Sequence, residues 1–297
     1  MSSRIAPTPP EVLELASRID SEGATQALLE ALPYIARFVG KTVVVKIGGS
    51  IGQDGTALED VVTLYRLGVK PVIVHGGGPL ISEWQERLGL EPKFVQGRRF
   101  TDELTLDLAR MVLIGKVNSD LIAHLCALGA PAVGLSGIDG GMIRARLRDP
   151  KLGLVGEVVD VDLTPLRTVM GAGYLAVVAP AAVDPQGQPL NVNADSIAGD
   201  LARALEAEKL VFFTDVAGVL AEDGSLLSTL STERVRELIA SGQISGGMIP
   251  KAEACVRALD TVPRAHVLDG RVPHALLREL FTDTGVGTMI MKDTEGD

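Results

Sequence analysis

"TVVVKIGGS", Thr42 to Ser50, and "KPVIVHGGGP", Lys70 to Pro79, decide the fold. Each is a short β-branched run that ends in glycines and gives way to a helix-like periodic stretch. "LEDVVTLYRLG" follows the first and "PLISEWQERLGL" the second. Strand, glycine turn, helix, strand is the pattern of a mainly parallel sheet covered on both faces, an α/β protein.

The same alternation runs outward from these two units. "KFVQGRRFTD" reads as an exposed hairpin or lid, and Thr101-Asp102 opens a long helix, with Thr101 as its cap. "PAVGLS" is a strand. "GMIRARL" and "VGEVVDVD" form a hairpin around the Pro150–Gly153 loop, then "LTPLRTVMGAG" is a helix and "LAVVAP" a strand. The second half continues with helices "SIAGDLARALEAE", "STERVRELIASG", "PKAEACVRALD" and "HALLRELF". Its strands are "KLVFFTD", "RAHVLDG" and "GTMI". Ahead of all this, "EVLELASRID" and "ATQALLEALPYIARF" read as one or two amphipathic helices, with Leu28, Leu29, Leu32 and Ile35 as the apolar stripe. No sharp linker divides the chain. The organisation expected is an extension over 1–40, a first unit over 41–190 and a second over 191–297.

Composition narrows the function. Hydrophobic residues make up 46% and aromatics 3%, so the core is aliphatic. A net charge of −10 argues against nonspecific nucleic-acid binding, which needs a basic surface, but leaves room for a local anion site. Cys126 and Cys255 each sit in an apolar periodic stretch and read as small core residues, which suits a reducing cytoplasm. The four histidines have no metal spacing. No apolar run is long enough for a membrane span, and no signal peptide is expected at the start.

Five stretches carry candidate chemistry. Gly48-Gly49 and Gly76-Gly77-Gly78 end neighbouring strands, where backbone N–H groups and a helix N-terminus attract anions. Two plain tight turns would need fewer glycines. There is no GxxxxGK[ST] loop, and the "GAG" at Gly171–Gly173 stands after a helix, the wrong order for a dinucleotide fingerprint. Lys46, among valines, is costly to bury unless it meets an anion; the alternative is an edge strand with the amine reaching water. Asn191, Asn193 and Asp195 precede a helix as plain caps or as a polar cluster. Gly246-Gly247 and Lys251 form a turn and helix start, where a lysine opposes the macrodipole unless a phosphate is bound. Arg98 and Arg99 suit a carboxylate, or are simply solvated.

Together these motifs resemble those of the N-acetyl-L-glutamate kinases of the amino-acid kinase superfamily. "VVVKIGGS", "VIVHGGGP", "QGRRFTD", "VGLSGIDG", "NVNADSIA", "FFTDVAGVL", "SGGMIPKAEA" and "LFTDTGVGTMI" occur in order, from about Lys41 to Ile290. The resemblance implies an αβα sandwich with a central mainly parallel sheet. It implies phosphorylation of the side-chain carboxylate of N-acetyl-L-glutamate by ATP, with Mg²⁺ carried by ATP, in arginine biosynthesis. Lys46 and Lys251 would contact the transferring phosphoryl group, and Asp195 would orient both amines. Gly48, Gly49, Gly77 and Gly78 would supply N–H groups. Arg99 would hold the α-carboxylate with Asn191 and Asn193 nearby, and Thr214 and Asp215 would lie at the nucleotide. The helix with "ALPYIARF" and the C-terminal stretch resemble arginine-inhibited members. There L-arginine would bind at Tyr34, His274, Glu279 and Gly287, and a dimer unit would build a trimer of dimers. Ile47 and Ser50 depart from those members, which often carry Tyr and Asn or His there.

The chemistry suits these residue types. A carboxylate nucleophile is already ionised at neutral pH, so no general base is required. Fixed positive charge and positioning must overcome anion repulsion. Two alternatives remain at this stage: a kinase for a related, carrier-linked acidic amino acid, and an inactive arginine-sensing kinase-like module.

Overall fold

The computed structural model describes residues 21–48, 56–95, 97–282 and 285–292. The helix expected over "EVLELASRID" lies outside them. In chain order the elements are α1 (Ser21–Phe38), β1 (Thr42–Ile47), α2 (Thr56–Arg66), β2 (Lys70–His75) and α3 (Gly78–Arg87). Next come β3 (Phe94–Val95), β4 (Arg98–Arg99), α4 (Glu103–Arg110) and α5 (Asn118–Ala127), then β5 (Ala132–Ser136), β6 (Ile143–Leu147) and β7 (Gly156–Val161). They continue with α6 (Thr164–Gly171), β8 (Leu175–Ala179), β9 (Ala181–Val183), β10 (Pro189–Asn191) and α7 (Ala194–Ala204). The chain ends with β11 (Lys209–Thr214), β12 (Thr229–Ser231), α8 (Thr232–Ala240), α9 (Met248–Ala258), β13 (Ala265–Asp269), α10 (Ala275–Phe281) and β14 (Gly287–Met291).

Eight strands form the main sheet in the order β12-β14-β13-β11-β1-β2-β8-β5. Pairing is parallel except at β13–β14. The two sequence halves meet in mid-sheet, where β1 pairs with β11. β1 is therefore central, which removes the edge-strand reading of Lys46. A smaller sheet, β10-β9-β6-β7, and the β3–β4 hairpin stand beside it. The β9–β10 pair was not anticipated from sequence; its strands have only three residues each.

Strand periodicity decides which face each side chain serves. Val43, Val45, Ile47, Ile73 and Val177 belong to one core cluster, with Leu121, Leu125 and Leu276. Val44, Val72, Val74, Ala176 and Val178 belong to the other, with Ile197, Leu201 and Cys255. Lys46 shares the parity of Val44, and so faces the layer that contains α7. His75 shares the parity of Ile73, and faces the layer that contains α5.

Three local expectations change. The cap of α4 is Asp102, whose carboxylate accepts from the Thr105 N–H at 2.8 Å; Thr101 is buried instead. The long helix is interrupted by a π-helical segment, Met111–Val117, between α4 and α5. Cys126 is exposed and only Cys255 is buried, because Cys126 lies on the outer face of α5. On α1, Leu28, Leu29 and Leu32 are exposed, while Phe38 at its end is buried against the body.

Candidate active site

β1 delivers Lys46 to the carboxyl end of the sheet, and α7 begins directly above it. Asn193 caps that helix, its Oδ1 accepting from the N–H groups of Asp195 at 2.9 Å and Ser196 at 3.0 Å. Asp195 is thus held in the first turn, where the helix dipole favours a carboxylate. Lys46 Nζ lies 2.9 Å from Asp195 Oδ1, and Lys251 Nζ lies 3.2 Å from Oδ2. One carboxylate binds both amines, although 205 residues separate the lysines in the chain (251 less 46).

Lys251 is the fourth residue of α9 and does not open it, since the helix starts at Met248. Its amine reaches back to the Gly247 carbonyl at 3.3 Å as well as to Asp195. Lys46 and Asp195 are buried. Burial pulls the Lys46 pKa below the usual lysine value; Asp195 opposes this and Lys251 adds to it. Burial would raise the Asp195 carboxyl, but the two lysines outweigh it and hold it below the usual carboxylate range. The site therefore carries a compact excess of positive charge with an ionised aspartate at its centre.

Two cavities flank this triad. One, of about 290 Å³, is lined by Lys46, Gly77, Gly78, Arg99, Asn191 and Asn193, and reaches Asp195. The other, of about 460 Å³, is lined by Thr214, Asp215, Gly218, Ser245, Gly247 and Lys251. Thr214 Oγ1 donates to Asp215 Oδ1 at 3.2 Å. The structure thus brings together Lys46, Asp195 and Lys251, places Gly77, Gly78, Arg99, Asn191 and Asn193 on one side, and Thr214 and Asp215 on the other. Gly48 directly follows β1; Gly49 lies outside the described residues.

In the glycine loop, Gly77 is the position that needs glycine for space, whereas a Cβ on Gly78 would meet nothing within 4 Å. A Cβ on Gly77 would lie 2.6 Å from Leu113 Cδ2, in the π-helical segment. α3 starts at Gly78, so its first N–H groups open toward the cavity.

Arg99 is half-buried and held in place, which excludes a simple solvated arginine. Its Nη1 donates to Gln85 Oε1; its Nη2 donates to the Gly78 carbonyl at 2.9 Å and Ser82 Oγ at 2.7 Å. Its guanidinium stacks on Phe94 at 4.9 Å from the ring centroid. Asn191 Nδ2 donates to Thr101 Oγ1 at 3.1 Å, which in turn donates to the Arg99 carbonyl at 3.2 Å. Sequence reading missed Ser82 and Gln85. Their spacing from Gly78, four and seven residues, puts all three on one helix face and was the available signal.

A third cavity, of about 480 Å³, takes Lys209 from the start of β11, whereas the cavity lined by Lys251 takes Thr214 from its end. This third cavity is lined by Tyr34, Arg37, Lys209, His266, Glu279 and Gly287 among others. Tyr34, Glu279 and Gly287 are brought together as expected of neighbours. His274 is not with them: its Nδ1 is 2.7 Å from Asp60 Oδ1, ahead of α10. The histidine on this wall is His266, whose Nδ1 lies 2.7 Å from Glu279 Oε1. β13 carries His266 inward, whereas His274 sits in a left-handed turn that points it toward α2.

Comparison with known proteins agrees with this architecture. The amino acid kinase family matches residues 41–269. The acetylglutamate kinase of Symbiobacterium thermophilum is 50% identical over 282 residues, covering 89% of this chain and 96% of that one. The acetylglutamate kinase of a Synechococcus species is 46% identical, with 98% of both chains covered. Among solved structures, the N-acetylglutamate synthase of Neisseria gonorrhoeae, complexed with coenzyme A and N-acetyl-glutamate, superposes with a TM-score of 0.81. It is 30% identical, over 91% of this chain and 64% of that one. A two-lysine, one-aspartate centre on a mainly parallel sheet, together with identity of this extent, shows that the chain belongs to the amino acid kinase family and, within it, to the acetylglutamate kinases.

Proposed function

We infer that the protein transfers the γ-phosphoryl group of ATP to the side-chain carboxylate of N-acetyl-L-glutamate, a step of arginine biosynthesis. The observation that carries this reading is the shared Asp195 carboxylate at 2.9 and 3.2 Å from two lysine amines, with a cavity on either side. A family relative of 50% identity bears the same enzyme name, and a solved relative holds N-acetyl-glutamate.

In this reading the smaller cavity takes acetylglutamate. Arg99 pairs with its α-carboxylate, and Asn191 and Asn193 line the same space. The larger cavity takes the nucleotide beside Thr214 and Asp215. The organisation follows: 41–190 supplies most of the acetylglutamate side, completed by Asn191 and Asn193, and a dimer surface, and 191–297 supplies the ATP side. Lys46 and Lys251 face the transferring group from opposite sides of Asp195. They offset charge on the phosphoryl oxygens, while N–H groups of Gly77 and Gly78 add neutral donors. The acceptor carboxylate attacks the γ-phosphorus, the bond to the β-phosphate oxygen breaks, and ADP leaves with that electron pair. Asp195 stays ionised and takes no proton.

Mg²⁺ bound to the ATP oxygens would supply further charge neutralisation. Mg²⁺ binds reluctantly to all-protein cages and keeps to phosphate oxygens, so the ion is read as carried by the nucleotide. No helix among the described residues is long and apolar enough to cross a membrane; a cytoplasmic site of action is part of this reading.

Feedback inhibition by L-arginine is the regulatory part of the proposal. The third cavity pairs an acid, Glu279, with cations, Lys209 and Arg264, and so offers both ends of an amino acid a counter-charge. The exposed leucines of α1 support assembly through that helix, a dimer unit building a trimer of dimers. One experiment tests the whole: ADP release with acetylglutamate, with and without arginine, alongside the solution mass. No acetylglutamate-dependent ADP release would remove the kinase; release unaffected by arginine would remove only the regulatory part.

A further inference from the structure

The glycine loop is braced from the opposite face of the sheet by two buried polar residues that the reaction itself does not use. His75, the last residue of β2, is 1% exposed, and Asn118, the first of α5, is 4% exposed. His75 Nδ1 lies 2.9 Å from the Gly76 carbonyl oxygen. His75 Nε2 lies 3.1 Å from Asn118 Nδ2, which also donates to the Val177 carbonyl at 3.1 Å. A carbonyl and an amide nitrogen that donates elsewhere leave one consistent tautomer: Nδ1–H donating to Gly76, and Nε2 accepting from Asn118.

The consequence follows from peptide planarity. The Gly76 carbonyl and the Gly77 N–H belong to one trans peptide, so they point in opposite directions. Holding the carbonyl toward His75, on the α5 face, turns the Gly77 N–H toward the Lys46 face and the cavity that Gly77 lines. The preceding peptide is held too, because the Gly76 N–H donates to the Ile47 carbonyl at 2.9 Å. The Gly77 N–H has no hydrogen-bond partner among the described residues. A flip of this peptide would present a carbonyl oxygen to an anionic ligand instead. Glycine makes such a flip cheap, so something must oppose it. The π-helical segment sets up the brace. Its wider turns carry Asn118 onto the face that meets His75 and Val177. Gly134 leaves room for it, since a Cβ there would fall 1.9 Å from Asn118 Oδ1.

We propose that His75 and Asn118 are positioning residues that lock the Gly76–Gly77 peptide with its N–H directed at the transferring phosphoryl group. Burial keeps the ring neutral, which the tautomer requires: it lowers the His75 pKa to about 4, with the Gly76 carbonyl opposing and Lys46 adding to the shift.

The proposal rests on the phosphoryl-transfer reading for its kinetic arm but not for its spectroscopic arm. Long-range ¹H–¹⁵N correlation of the full-length protein at pH 7 reads the tautomer, with His75→Asn used for assignment. The Nδ1–H form is expected; an Nε2–H form or an imidazolium overturns the brace even if no kinase activity is found. In steady-state ADP release, His75→Phe removes the donor at similar ring size. It should lower kcat by roughly 10²-fold, the scale of losing one aligned N–H donor, with little change in KM for ATP. His75→Asn places an amide N–H near the former Nδ1 and should recover most of that loss. Wild-type kcat in a folded His75→Phe protein overturns the proposal, as does equal impairment of both variants. If wild type releases no ADP, the functional reading fails and the tautomer alone decides the brace.

Discussion

Asp195→Asn is the sharpest perturbation of the site, because it changes one atom type and removes the negative charge that the two ammonium groups share. At 2.9 and 3.2 Å each lysine gains about 5 kcal/mol of gross attraction to Asp195 at an effective dielectric near 20. Desolvation cancels much of that, and breaking one partner of a buried pair typically costs about 3–5 kcal/mol. For a chain of 297 residues that is a fall in Tm of about 5–8 °C. The kinetic effect is separate. Without the carboxylate the amines repel, and burial and Lys251 both act to lower the Lys46 pKa with its counterweight gone. kcat should fall roughly 10²–10³-fold, and activity should be lost at a lower alkaline pH than in wild type. Coupled ADP release across pH, paired with thermal melts, measures both. A folded Asn variant with kcat within about threefold of wild type and an unshifted alkaline limb would refute the shared-carboxylate argument.

Other outcomes follow from the same geometry. Lys46→Ala and Lys251→Ala should each lower kcat by about 10²–10⁴-fold, whereas Arg99→Ala should mainly raise KM for acetylglutamate. Gln85→Ala should reproduce part of the Arg99 effect, because Gln85 holds the guanidinium without lining the cavity. Acid should destabilise the fold through His75. Its folded pKa of about 4 lies below the ordinary 6.5, so unfolding takes up a proton between these values and stability falls as pH falls through that window. The loss approaches about 3 kcal/mol by pH 4, and His75→Asn should flatten that part of a Tm-against-pH series. Glu279→Ala should abolish inhibition by arginine while leaving kcat intact; retained inhibition would move the effector elsewhere.

Several site residues were legible because their local pattern was already abnormal. Lys46 stood in a valine run, and five glycines closed two adjacent strands. Others had no local signature. Ser82 and Gln85 look like ordinary polar residues on an amphipathic helix until Arg99 folds onto them. His266 and His274 are equally plausible by composition, and only strand direction against a left-handed turn separates them. The cap of α4 was misplaced by one residue, since Thr and Asp are adjacent and both cap well. Cys126 was misread because its helix face could be assigned only after the π segment had shifted the register.

From the amino-acid order alone came the α/β class, the strand-to-turn boundaries and the residue types that phosphoryl transfer requires. The first two depend on short-range periodicity and steric preference, which act within a few residues, and the third on the resemblance of the ordered motifs to a known family. The tertiary structure decided what depends on contacts distant in the chain: that one carboxylate serves both lysines, that Arg99 is anchored, and that a histidine on the far face orients the glycine loop. Such contacts are set by how the sheet and its layers pack, and no local stretch encodes a neighbour 205 residues away (251 less 46).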